Sequence, residues 1–141
     1  MNSLRLNAHL QVAKAYASLS KAKRLQVGAV IIKDDRPISV GYNGCVSGGS
    51  NICEIEIDGE LVTKPEVIHG ESNAINFAAK NGIPTNECTL VITHSPCFGC
   101  AKSILQAGIK EVYYETEFRD LEGVKFLKQY IKCERIENGT N

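Results

Sequence analysis

The sequence predicts an α/β domain, a three-layer α/β/α sandwich around a central mixed five-stranded sheet. Two observations carry that expectation. Stretches with apolar residues at spacings of three and four alternate with short, apolar, β-rich runs, in the order α-β-β-α-β-α-β-α-β. Helices that alternate with apolar strands require crossover connections, which lay the helices on the faces of a sheet. The chain has 141 residues, which at about 150 residues per domain makes residues 1–141 a single domain.

Residues 4–19 are predicted helical because Leu6, Leu10, Ala13 and Ala17, with Val12, Tyr16 and Leu19, recur at helical spacing. Residues 26–32 are β-rich and apolar. Asp34-Asp35-Arg36-Pro37 is turn chemistry, and 38–42 resume an extended pattern, which predicts a hairpin. A long glycine-containing loop region follows at about 43–67; loops of that length are usually functional or mobile. Inside it, Ile55-Glu56-Ile57 and Leu61-Val62 flank Asp58-Gly59, the pattern of a small flap hairpin. Helical spacing returns over 70–81 and stops at Asn81-Gly82, before Pro84. A strand at 88–93, a helix at 98–107 ending at Gly108, a strand at 112–114, a helix at 120–129 and a strand at 131–136 complete the order.

Sixteen basic and sixteen acidic residues balance to zero net charge, which argues against a strongly basic nucleic-acid surface. No apolar run approaches the roughly 18 residues of a membrane helix. The first residues lack the apolar core of a signal peptide. The expectation is a cytoplasmic protein with no membrane partner. Its six cysteines (Cys45, Cys53, Cys88, Cys97, Cys100 and Cys133) then point to metal binding or catalysis rather than to a disulfide framework.

His69-Gly70-Glu71 opens one predicted helix. Ser95-Pro96-Cys97-Phe98-Gly99-Cys100 opens another, directly after a strand. Cys97 and Cys100 stand one helical turn apart, so both sulfurs can reach one ion. They also lie at a helix start, where the dipole favours thiolate. With His69 they offer three soft ligands for zinc and leave a fourth position open, as in catalytic rather than closed structural sites. Glu71 is placed to hold a water there without being a ligand. A closed site would recruit a fourth ligand from Cys45, Cys53, Cys88, Cys133, His9 or His94, and would have no use for Glu71.

The paired H-x-E and P-C-x-x-C pattern is the signature of the zinc deaminases, and here the sequence resembles the cytidine/deoxycytidylate deaminase superfamily, with its deoxycytidylate (dCMP) deaminase branch and phage-encoded members. Val27-Gly28-Ala29-Val30-Ile31, Gly41-Tyr42-Asn43-Gly44, the segment Ser47-Gly48-Gly49-Ser50-Asn51-Ile52-Cys53 and Gly108-Ile109-Lys110-Glu111-Val112-Tyr113-Tyr114 carry the likeness beyond the zinc motifs. It covers about residues 5–135. It departs at Gly70, where the family usually has alanine, and at Cys45-Val46-Ser47, where many relatives carry a proline.

The resemblance implies a cytidine-deaminase-like fold and hydrolytic deamination of dCMP to dUMP and ammonia, feeding dTMP synthesis. Glu71 would carry the protons and His69, Cys97 and Cys100 would hold Zn2+. It makes Asn43 a contact for the deoxyribose, although an Asn-Gly pair by itself reads as a turn. The substrate phosphate needs donors, and Arg24, Lys23 and Ser95 are the candidates. Tyr114 is either a pocket residue or a core tyrosine. The likeness also implies an effector site for dCTP (activating) and dTTP (inhibiting) with Mg2+, built from Gly48, Gly49, Asn51 and Arg119. Glycine-rich backbone suits phosphate oxygens because no Cβ blocks their approach. It implies a homo-oligomer, a hexamer by family analogy, and residence in the host cytoplasm if phage-encoded. Some relatives bind a second, structural zinc, for which Cys53 and His94 would be the pair here, and the sequence leaves its presence open. Deamination of dCTP, or of a base in tRNA or single-stranded DNA, and a noncatalytic zinc module are the competing readings.

Overall fold

The computed structural model describes residues 1–137. Residues 138–141, the end of the expected domain 1–141, lie outside the described residues. Helix α1 (Ser3–Ala17) begins where the Arg5 amide donates to Asn2 Oδ1 at 2.9 Å, an N-cap that satisfies one of the free N–H groups of the first turn. It stops two residues short of the expected limit. The amides of Leu19 and Ser20 turn to carbonyls three residues back, and Tyr16 and Leu19, which fitted the helical spacing, are exposed.

Strands β1 (Gly28–Lys33) and β2 (Arg36–Tyr42) form the expected antiparallel hairpin with a shorter turn. Asp34 and Asp35 take φ values of 51° and 62°. Positive φ at both central residues makes the two-residue turn whose twist matches the strands. The strand therefore resumes at Arg36. Pro37 is accommodated because β2 is an edge strand and the register shifts between Ile31 and Ile32 beside it. Strands β3 (Glu54–Ile57) and β4 (Glu60–Thr63) pair on their own around Asp58 and Gly59, as the flap pattern predicts.

The remaining elements alternate: α2 (Gly70–Lys80), β5 (Thr89–His94), α3 (Phe98–Gln106), β6 (Glu111–Thr116), α4 (Glu122–Lys128) and β7 (Lys132–Arg135). The five-stranded sheet runs β2-β1-β5-β6-β7. Strands β5, β6 and β7 are parallel, and β1 is antiparallel to both its neighbours, so the sheet is mixed. Alternation along the strands divides the core in two. Ala29, Ile31, Leu90, Ile92, Val112 and Tyr114 face one way, against Ala74, Ala101, Ile104, Val124 and Leu127 of α2, α3 and α4. Val30, Ile32, Val91 and Tyr113 face the other, against Leu10 and Ala13 of α1. The result is the predicted three-layer α/β/α fold. Cys88 and Cys133 are buried in the first of these cores, as small hydrophobes. No described helix is long and apolar enough to cross a membrane.

Parallel pairing aligns the ends of β5 and β6, with His94 beside Thr116. In open α/β sheets ligands sit outside the carboxyl ends of such strands. The loops leaving β5 and β6 therefore share a rim with the start of α2.

Candidate metal centre and active site

His69 is the N-cap of α2 and Cys97 the N-cap of α3. The His69 ring caps no amide of its own helix, which leaves its nitrogens for other partners. Cys97 Sγ accepts the Cys100 amide at 3.4 Å. His69 Nδ1 lies 3.2 Å from Cys100 Sγ and 3.5 Å from Cys97 Sγ. Tetrahedral bonds of ~2.0–2.3 Å place neighbouring donors about 3.5 Å apart, so these three side chains fit zinc. Among the described residues they are the one group of three such ligands close enough to share an ion. Cys53 and His94 do not join a second one. Cys53 is buried with Sγ 3.9 Å from the Asn51 carbonyl, whereas His94 lines the cavity described below.

The three groups share their protons. The Cys100 thiol, followed by His69, donates toward Cys97 and holds its pKa down at about 3. Cys100 is pushed up because it is the donor to that thiolate and is buried as well. The bond to Cys97 raises His69. Glu71, in the first turn of α2, is 4 % exposed, and burial pushes its carboxyl up.

Gly123, in α4, is what lets the Pro96-Cys97 turn sit close. A Cβ there would meet the Pro96 carbonyl oxygen and stand 2.7 Å from the carbonyl carbon and oxygen of Cys97. These are backbone atoms of the ligand loop, which can yield only by moving the sulfur. Gly123→Ala is expected to cost about 1–3 kcal/mol, typical of overpacking, and to weaken zinc retention in competition with a chromophoric chelator. Unchanged zinc retention would show that the loop does not depend on this contact. At Gly70 the added Cβ would stand 3.1 Å from the Val27 carbonyl oxygen, a tight but modest contact.

The site opens into a cavity of about 680 Å³. Its wall includes His69, Glu71, Cys97, Asn43, Arg24, Ser95 and Arg119, which places seven expected site residues together. Asn43 and Ser95 are tied to backbone groups of the wall. Asn43 Oδ1 accepts the Val27 amide and Nδ2 donates to the Leu25 carbonyl, both at 2.8 Å. Ser95 Oγ accepts the Phe118 amide at 2.8 Å, which ties down the residue before Arg119. Tyr114 is 3 % exposed in the core and is not part of the cavity wall. Gly48, Gly49 and Asn51 lie in an exposed loop outside that wall, Gly48 with φ of 82°. Arg119, grouped with them by the resemblance, is instead in the cavity. It follows β6 just as the ligand loop follows β5, and its guanidinium lies 4.8 Å from the centre of the Phe118 ring.

Glu54, Thr63, His94 and Phe118 also line the cavity. Sequence spacing gave no sign of Glu54 or Thr63, because the flap hairpin reaches the site only through the fold. The strand-end position of His94 was the available signal for it. Thr93 Oγ1 lies 2.8 Å from His94 Nδ1, and burial lowers the His94 pKa.

Comparison with known proteins agrees with this geometry. Residues 4–116 match the family model described as the cytidine and deoxycytidylate deaminase zinc-binding region. ComE operon protein 2 of Bacillus subtilis is 43% identical over 103 residues, covering 71% of this chain and 53% of that protein, so the match spans about half of that relative's length. The deoxycytidylate deaminase of Enterobacteria phage T4 is 36% identical over 153 residues, covering 81% and 79%. The crystal structure of the dCMP deaminase from cyanophage S-TIM5, in complex with dCMP and dUMP, superposes with a TM-score of 0.89 at 38% identity, covering 96% of this chain and 98% of that one. The three candidate zinc ligands at two helix starts, the buried glutamate beside them and these likenesses have one reading: the chain belongs to the cytidine and deoxycytidylate deaminase zinc-binding family.

Proposed function

We propose that this protein hydrolyses dCMP to dUMP and ammonia, supplying the uracil nucleotide from which dTMP is made. One observation carries the reading. The cavity lined by His69, Cys97 and Glu71 is also lined by two guanidinium groups, Arg24 and Arg119. Among the described residues neither forms an ion pair. Although Glu54, Glu71, Asp120 and Glu122 line the same wall, two guanidinium groups free of ion pairs beside a deaminase centre offer the donors that suit a small cytosine nucleotide carrying a phosphate. Its volume lies within the range of small-molecule sites.

Zinc bound by His69, Cys97 and Cys100 would supply a Lewis acid that lowers the pKa of a water to about 7. The chain's residues do the rest. Glu71 accepts a proton from the water that attacks C4 of the ring and delivers it to N3. It then carries the second proton of that water to the exocyclic nitrogen, and the C4–N bond breaks to release ammonia. Asn43 holds the Leu25 and Val27 backbone along the cavity, and its remaining amide hydrogen and lone pair serve the deoxyribose. Arg24 and Arg119 serve the phosphate.

The same reading extends to regulation by dCTP and dTTP with Mg2+ at Gly48, Gly49 and Asn51, in a homo-oligomer of one-domain subunits in the cytoplasm. The exposed loop and the left-handed backbone at Gly48 support a site where phosphate oxygens approach amides closely. The test is turnover by the zinc-loaded protein, followed by ultraviolet absorbance, of dCMP, deoxycytidine and dCTP. Preferred conversion of dCMP is expected, with stimulation by Mg-dCTP. Absence of dCMP turnover would overturn the reading, and turnover indifferent to dCTP would remove the effector site alone.

A further inference from the structure

The flap hairpin touches the cavity through one cross-strand pair, Glu54 of β3 and Thr63 of β4, which face each other in register. We infer that this pair positions Arg24 to receive the substrate phosphate, so that the flap sets the preference for a nucleotide over a nucleoside. The inference rests on the nucleotide reading above.

Glu54 is 7 % exposed, an unusual place for a carboxylate unless it is bonded. Its Oε2 accepts the amides of both Lys23 and Arg24, at 2.8 and 2.9 Å. Two charge-assisted bonds to one oxygen fix the backbone at the root of the Arg24 side chain. Thr63 Oγ1 accepts from Arg24 Nη1 at 3.0 Å and fixes its tip. Both ends of a long, flexible side chain are thus held by one pair of strands. Thr63 is neutral and Glu54 forms no ion pair with the guanidinium, so the remaining guanidinium donors stay open to an anion. An arginine ordered before binding loses less rotamer freedom when an anion arrives.

The segment being held has no regular structure of its own between α1 and β1. Ala22, Leu25 and Val27 of the same stretch line the cavity, and Asn43 bonds to Leu25 and Val27. Glu54 therefore anchors one end of this wall and Asn43 the other. Glu54 and Thr63 are positioning residues, acting through Arg24.

The test compares a phosphorylated and an unphosphorylated ligand on the same zinc-loaded protein. kcat/KM is measured for dCMP and deoxycytidine, and Kd for dUMP and deoxyuridine by calorimetry. Arg24→Ala and Glu54→Ala are each expected to lower the dCMP-to-deoxycytidine ratio by about tenfold or more, mainly through KM, as for loss of a charged hydrogen bond. The Kd ratio should move in parallel. Thr63→Val should give a smaller fall in the same direction. Glu54→Gln should recover part of the loss, since its amide oxygen still accepts the two amides. The double variant Glu54→Ala/Arg24→Ala should be no worse than Arg24→Ala alone, because residues that act through one another are not additive.

Ratios within about twofold of wild type in the Glu54 and Thr63 variants, against the measured loss in Arg24→Ala, would overturn the inference, as would full additivity. Should Glu54→Ala fail to fold, Glu54→Gln and Thr63→Val decide the matter by the same ratios. A wild-type protein that turns over dCMP while Arg24→Ala keeps its discrimination refutes this inference alone. A wild-type protein with no preference for the phosphorylated partner refutes the nucleotide reading itself.

Discussion

Glu71→Gln is expected to lower kcat for dCMP by about 10⁴-fold or more while the protein keeps its zinc. A general acid–base group ordinarily contributes 10²–10⁴-fold. Glu71 exceeds the usual case because one carboxylate serves successive transfers, from water to N3 and then to the leaving nitrogen. Its setting supports the assignment. The residue is 4 % exposed yet sits in the first turn of α2, where the helix dipole favours an anion, and burial pushes its proton affinity up. A carboxyl whose pKa is raised by burial at the edge of a cavity is suited both to accept and to return protons. Glutamine keeps the size and loses the proton exchange. Zinc content by atomic absorption and dUMP binding should stay close to wild type. A Glu71→Gln protein that holds zinc and retains more than a tenth of the turnover would refute the role.

Much of this site was legible in the sequence because its spacing is local. His69 and Glu71 lie two residues apart and Cys97 and Cys100 three apart, so each pair is placed by a single helix start. Only the closure of one pair on the other needed the fold. Arg36-Pro37 resembles turn chemistry, which makes the expected hairpin turn longer than the one that forms. An edge strand with a register shift admits a proline that a central strand would not. Arg119 was grouped with the glycine-rich loop, though it follows β6, whose parallel pairing with β5 brings it to the ligand loop. Glu54 and Thr63 carry no local signal at all. Their meaning appears only when β3 and β4 pair and reach back to Arg24, contacts that span 30 and 39 residues of sequence.

Cys97→Ser separates metal binding from folding, because the cysteine has two tasks. It caps α3 by accepting the Cys100 amide, and it offers a sulfur to the metal. Serine is among the best N-caps, so the helix start should survive. A hydroxyl lacks the soft thiolate that zinc selects, and the hydrogen-bonded sharing that holds Cys97 down at about 3 has no counterpart in an alcohol. The variant should therefore fold, lose zinc and lose turnover to background. Wild-type protein stripped by a strong chelator should lose turnover in the same way. Returning zinc to 1,000 times Kd should stabilise the wild type by about 4 kcal/mol, a rise in Tm of roughly 10 °C for a domain of this size. The same addition should leave the melting curve of Cys97→Ser unmoved. Three outcomes would contradict the assignment of the metal to His69, Cys97 and Cys100: full turnover after chelation, stoichiometric zinc in Cys97→Ser, or equal stabilisation of both proteins by zinc. With Glu71→Gln measured beside it, the pair divides the chemistry, since one variant binds zinc without turning over and the other cannot bind it.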